Sequence, residues 1–115
     1  MQIPDTPLFV KTHDLNLWLL NHTQRFPKNL RQSYTVRLES LAFEFEEAIL
    51  MANQARGKDR RQFLELADGK LVCIRAFLRY AYDLKLLAGT QIRYAAEQFD
   101  QLGRLLGAWL KGTDR

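Results

Sequence analysis

Apolar residues recur every three or four positions through residues 66–85, and this spacing constrains the fold more than any other feature of the chain. They are Ala67, Leu71, Ile74, Leu78 and Ala81. Such spacing places the side chains on one face of an α-helix, which we expect to lie in a hydrophobic core. Arg75 and Arg79 flank that face one helical turn apart. The segment therefore predicts a helix that builds a core and carries two cations along one edge.

The same periodicity covers three further segments, which are separated by residues that end helices. Pro27 forces the preceding residue out of helical geometry, Gly57 suits a helix C-terminus, and residues 88–90 read as a turn capped by Thr90. We expect helices over residues 7–24, 30–56, 58–87 and 91–111. Because the connections are short and no strand pattern occurs, the sequence predicts a single all-α domain over residues 1–115. Its expected architecture is an antiparallel up-down-up-down four-helix bundle.

Composition places the chain among ordinary globular proteins. Hydrophobic residues make up 47% and charged residues 26% of its 115 residues. No apolar run approaches the roughly 18 residues that span a bilayer, and the first residues lack the basic-then-apolar layout of a secretory signal. The single cysteine, Cys73, excludes an internal disulfide, which fits a reducing compartment. We expect a cytoplasmic protein with no membrane partner.

Residue patterns typical of catalysis or metal binding are missing from the sequence. His13 and His22 are nine positions apart with no nearby pattern of zinc ligands, and no Glu-x-x-His pair of the di-iron bundles occurs. No glycine loop followed by GK[ST] would cradle a phosphate. Cys73 has no adjacent histidine and reads as a free thiol. We expect neither an enzyme nor a cofactor, and an enzyme whose site is built between subunits remains the open alternative.

Basic charge is concentrated on the third predicted helix. The chain carries a net charge of +4, and residues 57–88 hold seven cations against four acids. At about 100° per residue, Arg61, Asp68, Arg75 and Arg79 form a strip beside the core face. One interpretation is that Arg75 pairs with Asp68 or with a glutamate of a neighbouring helix. The other is that the arginines bind phosphate or carboxylate groups of a partner. Spacing alone favours the ion pairs.

Two features predict self-association. Val36, Phe43 and Leu50 are spaced by seven on a side of the second helix turned away from its core stripe. Gly103 and Gly107 lie inside the fourth helix, where each glycine costs on the order of 1 kcal/mol relative to alanine. Close approach of another helix, within the bundle or across a subunit interface, would account for both glycines. We assign these five residues to an oligomer interface.

Three segments resemble a known family. They are LWLLNHTQRFPKNLR at residues 17–31, IRAFLRYAYDLKLL at residues 74–87 and LGRLLGAWLK at residues 102–111. Together they resemble the accessory variability determinant (Avd) family of diversity-generating retroelements, in the same order and with four-helix spacing. The resemblance extends from about residue 15 to residue 111, while the first ten residues match nothing.

The resemblance implies a four-helix bundle that assembles into a ring-like homopentamer with a basic surface. It also implies a non-catalytic protein that binds the retroelement's reverse transcriptase and its template RNA, or DNA, during mutagenic copying. Arg75 and Arg79 match the family's Arg-x-x-x-Arg pair, and Lys28 and Arg31 match its basic cluster. We add Arg61 and Lys85 to these binding residues from the helical projection.

The family also has relatives encoded within intervening sequences of ribosomal RNA genes. The alternative function is therefore a self-associating helical bundle of that kind, with no reverse-transcriptase partner.

Overall fold

A computed structural model describes residues 6–113, which form four α-helices and no β-strand. These are α1 (Pro7–Thr23), α2 (Val36–Gln54), α3 (Gly57–Asp83) and α4 (Gly89–Thr113). A 3₁₀ turn at Lys28–Leu30 and a π-helical turn at Arg31–Thr35 lead into α2. The predicted all-α fold class is thus confirmed for the described part of the chain. The predicted domain also includes residues 1–5 and 114–115, which lie outside it.

Each helix packs against its neighbours in sequence, and the last packs against the first. Contacts join α1 to α2, α2 to α3, α3 to α4, and α4 back to α1. The molecule measures 45 × 24 × 23 Å. Its main core draws buried side chains from all four helices, among them Leu15, Phe45, Leu71 and Phe99. A smaller apolar cluster lies at one end, where the α1–α2 and α3–α4 connections meet.

The periodicity of α3 correctly predicts its buried face. Ala67, Leu71, Ile74, Leu78 and Ala81 are all buried, at 5% exposure or less. Burying a leucine or isoleucine side chain contributes roughly 1.5–3 kcal/mol relative to leaving it in water. The sequence pattern of α3 therefore anchors the core as expected.

The start of α2 differs from the prediction of one continuous helix over residues 30–56. The chain passes through the 3₁₀ and π turns before regular α-helix begins at Val36. Gly57 does not end this helix either, because α2 stops at Gln54. Gly57 has φ +55° and is the first residue of α3. Its left-handed backbone, which glycine adopts at little cost, reverses the chain between the two helices.

The connection between α3 and α4 also departs from the predicted bounds. Helix α3 ends at Asp83 rather than at residue 87, because the chain turns at Lys85, a non-glycine residue with φ +59°. The backbone N–H of Leu86 donates to the Ala81 carbonyl at 2.8 Å and closes the turn. Leu87 then turns into the smaller cluster. Helix α4 begins at Gly89, two residues before the predicted start, and the side-chain oxygen of Gln91 accepts from the Ala88 N–H at 2.8 Å.

The buried face of α1 contains polar residues that periodicity does not identify. Thr12, Asn16 and Thr23 are buried together with Leu8, Phe9, Leu15 and Leu19. Phe9 is 6% exposed and packs edge-to-face on Trp109 at 5.9 Å. The Thr23 hydroxyl donates to Glu39 Oε2 at 2.6 Å and links α1 to α2. Hydrogen bonds of this kind allow polar side chains to lie in a core.

Within residues 6–113, no helix combines the length and the apolar character needed to cross a membrane.

Candidate nucleic-acid interface

The smaller apolar cluster brings two connecting segments together at one end of the molecule. Phe26 and Tyr34, from the α1–α2 connection, share this cluster with Ala81 and Leu87 from the α3–α4 side. Tyr34 stacks on Phe77 at 5.8 Å, and its hydroxyl donates to the Phe77 carbonyl at 2.5 Å. Burial raises the pKa of Tyr34 to about 12, so the phenol keeps the proton that it donates. The two connections are thereby held against each other.

Two stretches of sequence without acidic residues meet at this end of the molecule. Residues 24–37 and residues 84–96 contain no aspartate or glutamate. Their six cations, hereafter the basic end, are all exposed: Arg25, Lys28, Arg31, Arg37, Lys85 and Arg93. The other cations of the chain number 11 against 13 acids, so the remainder carries −2. The modest net charge of the chain thus conceals a strongly basic end on a slightly acidic body.

The cations of the basic end are available to a partner. Among residues 6–113 the ion pairs involve other arginines and lysines, and no described carboxylate pairs with any of these six. Several unpaired cations close together raise the local concentration of anions and attract phosphate groups. The geometry therefore suits a polyanionic ligand.

Arg75 and Arg79 lie outside the basic end, in a groove between α3 and α4. Arg75 Nη2 lies 3.4 Å from Asp100 Oδ1 on α4, and Arg79 Nε lies 3.7 Å from Asp83 Oδ2. These two arginines and two aspartates line the groove, whose volume is about 470 Å³. Arg75 therefore pairs with a neighbouring helix rather than with Asp68. Arg79 remains 83% exposed in spite of its ion pair.

The structure divides the predicted binding residues into separate groups. Lys28, Arg31 and Lys85 lie on the two connections that meet at the smaller cluster. Arg75 and Arg79 lie in the groove beside it. Arg61 is near the opposite end of α3, where its Nε pairs with Glu65 Oε1 at 2.8 Å. The predicted set does not form one continuous site.

The predicted interface residues also differ in their surroundings. Val36 and Phe43 are each 41% exposed, whereas Leu50 is partly buried and packs against the main core. A methyl group at position 103 would stand 2.7 Å from Arg75 Nη2, so Gly103 makes room for a guanidinium of its own chain. A methyl group at position 107 would meet nothing within 4 Å. Within the described chain, side chains of α3 therefore fill the space at Gly103, and nothing fills the space at Gly107.

Sequence reasoning missed Arg25, Arg37 and Arg93, which complete the basic end. The signal that identifies them is the absence of acidic residues over residues 24–37 and 84–96, rather than helical spacing. One exposed aromatic residue accompanies these cations: Tyr94, 43% exposed, follows Arg93, and its ring lies 5.2 Å from that of Trp18. Aromatic rings beside cations are common where proteins bind unpaired bases.

Among residues 6–113, no group of three or more histidine, cysteine, aspartate or glutamate side chains is arranged to hold a metal ion.

No protein-family model matches the chain. No curated protein matches it either.

Proposed function

We propose that the protein is a non-enzymatic accessory factor that binds structured RNA, together with a reverse transcriptase, through its basic end. This is the role implied by the resemblance to the Avd family, and it corresponds to support of mutagenic copying in a diversity-generating retroelement. The observation that carries the proposal is the separation of charge, with six exposed cations at one end and a net charge of −2 elsewhere.

The physical basis of binding is counterion release. Each phosphate that a lysine or arginine neutralises frees a condensed counterion, so affinity depends steeply on salt. Cations that already form ion pairs contribute less, because an aspartate competes with the phosphate. Lys28, Arg31 and Lys85 are therefore assigned the main contacts. Arg79 extends the surface into the groove, and Arg75 keeps a partly exposed guanidinium beside it.

The proposed architecture is an antiparallel up-down-up-down bundle that assembles into a homopentameric ring. Sequential helix contacts and short connections support the bundle. Exposed Val36 and Phe43 on α2, with the open space at Gly107 on α4, provide surface for a neighbouring protomer. A ring would display five basic ends, and repeated weak contacts to one RNA would then act together.

Charge reversal at the basic end tests RNA binding. The variant Lys28→Glu/Arg31→Glu/Lys85→Glu should lose at least roughly tenfold in affinity for structured RNA, because phosphates would face carboxylates. Its matched control is Arg56→Glu/Lys58→Glu/Lys111→Glu, which makes the same change of net charge at exposed positions around the opposite end. The control should bind within about threefold of the unmodified protein. Equal losses in the two variants would show that net charge, not the basic end, attracts RNA, and would overturn the assignment.

The polymerase partner requires a separate experiment. Co-expression with a reverse transcriptase from a diversity-generating retroelement should yield a complex that survives size-exclusion chromatography. The basic-end variant should lose this complex, and the opposite-end control should retain it. If RNA binding depends on the basic end but no complex forms, the reverse-transcriptase part of the proposal is overturned.

A further inference from the structure

The outer face of α3 is apolar, although it points away from the core. Six residues define this face, and each of them is exposed: Leu66, Gly69, Val72, Cys73, Ala76 and Tyr80. Leu66 is 49%, Val72 59% and Tyr80 56% exposed. The positions 66, 69, 73, 76 and 80 alternate by three and four, which is the spacing of a helix–helix seam. A surface helix ordinarily presents charged and polar residues on this side.

One edge of the outer face carries two ion pairs in a particular order, and exposed Asp68 and Arg75 lie farther round the helix, away from the centre of this face. Arg61 pairs with Glu65 at 2.8 Å, and Arg79 pairs with Asp83 at 3.7 Å. Read along α3, the signs are plus, minus, plus, minus. Positions 61 and 83 are equally distant from Val72, and so are positions 65 and 79. A copy of the helix rotated by 180° about an axis through Val72, perpendicular to the helix, runs antiparallel to the first. In such a pair each of these two cations lies opposite an acid of the other helix.

We propose that α3 packs antiparallel against α3 of a second copy, about a two-fold axis near Val72. Arg61 then faces the partner's Asp83, and Glu65 faces the partner's Arg79. The two-fold axis repeats both contacts, as in any isologous interface. The internal ion pairs become two four-membered networks that cross the interface.

The shape of the outer face suits this partner. Gly69, Cys73 and Ala76 lie near the centre, where their small side chains allow two helix backbones to approach closely. Leu66 and Tyr80 lie farther out, where they cover the ends of the contact. Pairing withdraws these exposed apolar groups from water, which favours association.

A second copy is the occupant because the charge pattern complements itself. A partner of uniform acidic or basic charge would meet like charges at two of the four positions. The inference does not depend on the proposed RNA binding or on the ring. A two-fold contact joins two protomers, or two rings where its axis crosses the ring axis at a right angle.

Native mass spectrometry of the full chain tests the contact through the variant Val72→Glu. Position 72 lies at the two-fold axis, so a carboxylate there would face the same carboxylate of the second copy, and the mass should fall to half that of the unmodified protein. Val10→Glu on α1 is the matched control, since Val10 is 45% exposed and lies off α3. The control should retain the full mass. Equal masses for Val72→Glu and the unmodified protein would overturn the proposal, whether or not a ring exists.

Charge exchange tests the antiparallel register. Glu65→Arg and Arg79→Glu, made singly, each place like charges opposite each other twice, and each should halve the mass. The double variant Glu65→Arg/Arg79→Glu restores opposite charges across the interface, so the full mass should return. Within one chain the double variant still leaves Arg61 beside an arginine and Asp83 beside a glutamate. Recovery therefore reports only the contact between copies, and a double variant that stays at half mass would overturn the register.

Circular dichroism shows whether each variant keeps its helices. Both substituted positions, Glu65 and Arg79, are exposed on α3, so the substitutions should leave the helical signal unchanged. A single variant that loses both helix and mass would count against the proposal unless the double variant recovers both.

Discussion

Arg75 lies over Gly103 so closely that a methyl group at position 103 would stand 2.7 Å from its Nη2 atom. The same guanidinium reaches Asp100, one turn earlier on α4, at 3.4 Å. Gly103 is thus a space in α4 that an arginine of α3 occupies. The arginine that the family resemblance assigns to a partner has a defined position within its own chain.

Replacing the two glycines of α4 separates helix propensity from this contact. Gly107→Ala should raise the free energy of unfolding by up to about 1 kcal/mol, because alanine favours the helix and nothing lies within 4 Å. Gly103→Ala should gain less, because its methyl group displaces Arg75 and weakens an ion pair of at most about 1 kcal/mol. Urea unfolding of both variants measures the difference. Equal gains would show that the Arg75–Asp100 pair contributes nothing.

Gly107→Ala also tests the predicted oligomer interface. If a neighbouring protomer approaches the backbone at this position, the added methyl group should reduce the assembled mass while the protomer stays folded.

The buried face of α3 could be predicted because helical periodicity and burial have the same physical cause. Leu71 and Ile74 are apolar since their positions face the core. The burial of Thr12 and Thr23 could not be predicted in this way, because a specific hydrogen bond satisfies each buried hydroxyl. The irregular start of α2 was missed for a similar reason. Tyr34 reaches across to α3, and the π turn that carries it has no signature in sequence periodicity.

The hydroxyl of Thr23 should contribute measurably to stability because its acceptor belongs to another helix. Thr23→Val removes the 2.6 Å bond to Glu39 and should lower the free energy of unfolding by about 1.5 kcal/mol. Thr12→Val is the control, since the Thr12 hydroxyl donates only to the Leu8 carbonyl in its own helix. That carbonyl is already an acceptor in the helix ladder, so the control should change stability by less than about 0.5 kcal/mol. Similar losses in both variants would contradict this role of Glu39.

The raised pKa of Tyr34 predicts a loss of stability at high pH. The unfolded chain releases the phenolic proton near its ordinary pKa of 10.0, whereas the folded protein retains it to about 12. Between these values the unfolded state binds fewer protons, so rising pH favours unfolding. The contribution of the neutral phenol is complete below pH 10 and is lost as pH rises through about 12.

Tyr34→Phe isolates this effect from the other tyrosines and lysines. Below pH 10 the variant should be less stable by about 1 kcal/mol, because it lacks the hydrogen bond to the Phe77 carbonyl. Its deficit should shrink as pH rises above 10, since only the unmodified protein can ionise at this position. Thermal unfolding of both proteins across that range provides the comparison. If the melting temperatures of the two proteins fell in parallel as pH rises above 10, the raised pKa would be contradicted.

The candidate site could be predicted only in part, because tertiary packing decides which cations from distant parts of the sequence lie near one another. Lys28 and Arg31 are near in sequence, but Lys85 joins them only through the packing of Phe26, Tyr34 and Leu87. Helical projection grouped Arg61 with Arg75 and Arg79 because it considers a single helix. It contains no information on Asp100, which pairs with Arg75 from α4.

The salt dependence of RNA affinity tests the central claim, that the basic end contacts phosphate, most directly. The logarithm of RNA affinity is plotted against the logarithm of salt concentration, and the slope is compared among three proteins. These are the unmodified protein, the basic-end variant Lys28→Ala/Arg31→Ala/Lys85→Ala and the opposite-end variant Arg56→Ala/Lys58→Ala/Lys111→Ala. If all three lysines and arginines of the basic-end variant contact phosphates, its slope should be shallower by roughly two to three units. The opposite-end variant should retain the slope of the unmodified protein. Three equal slopes would contradict the claim.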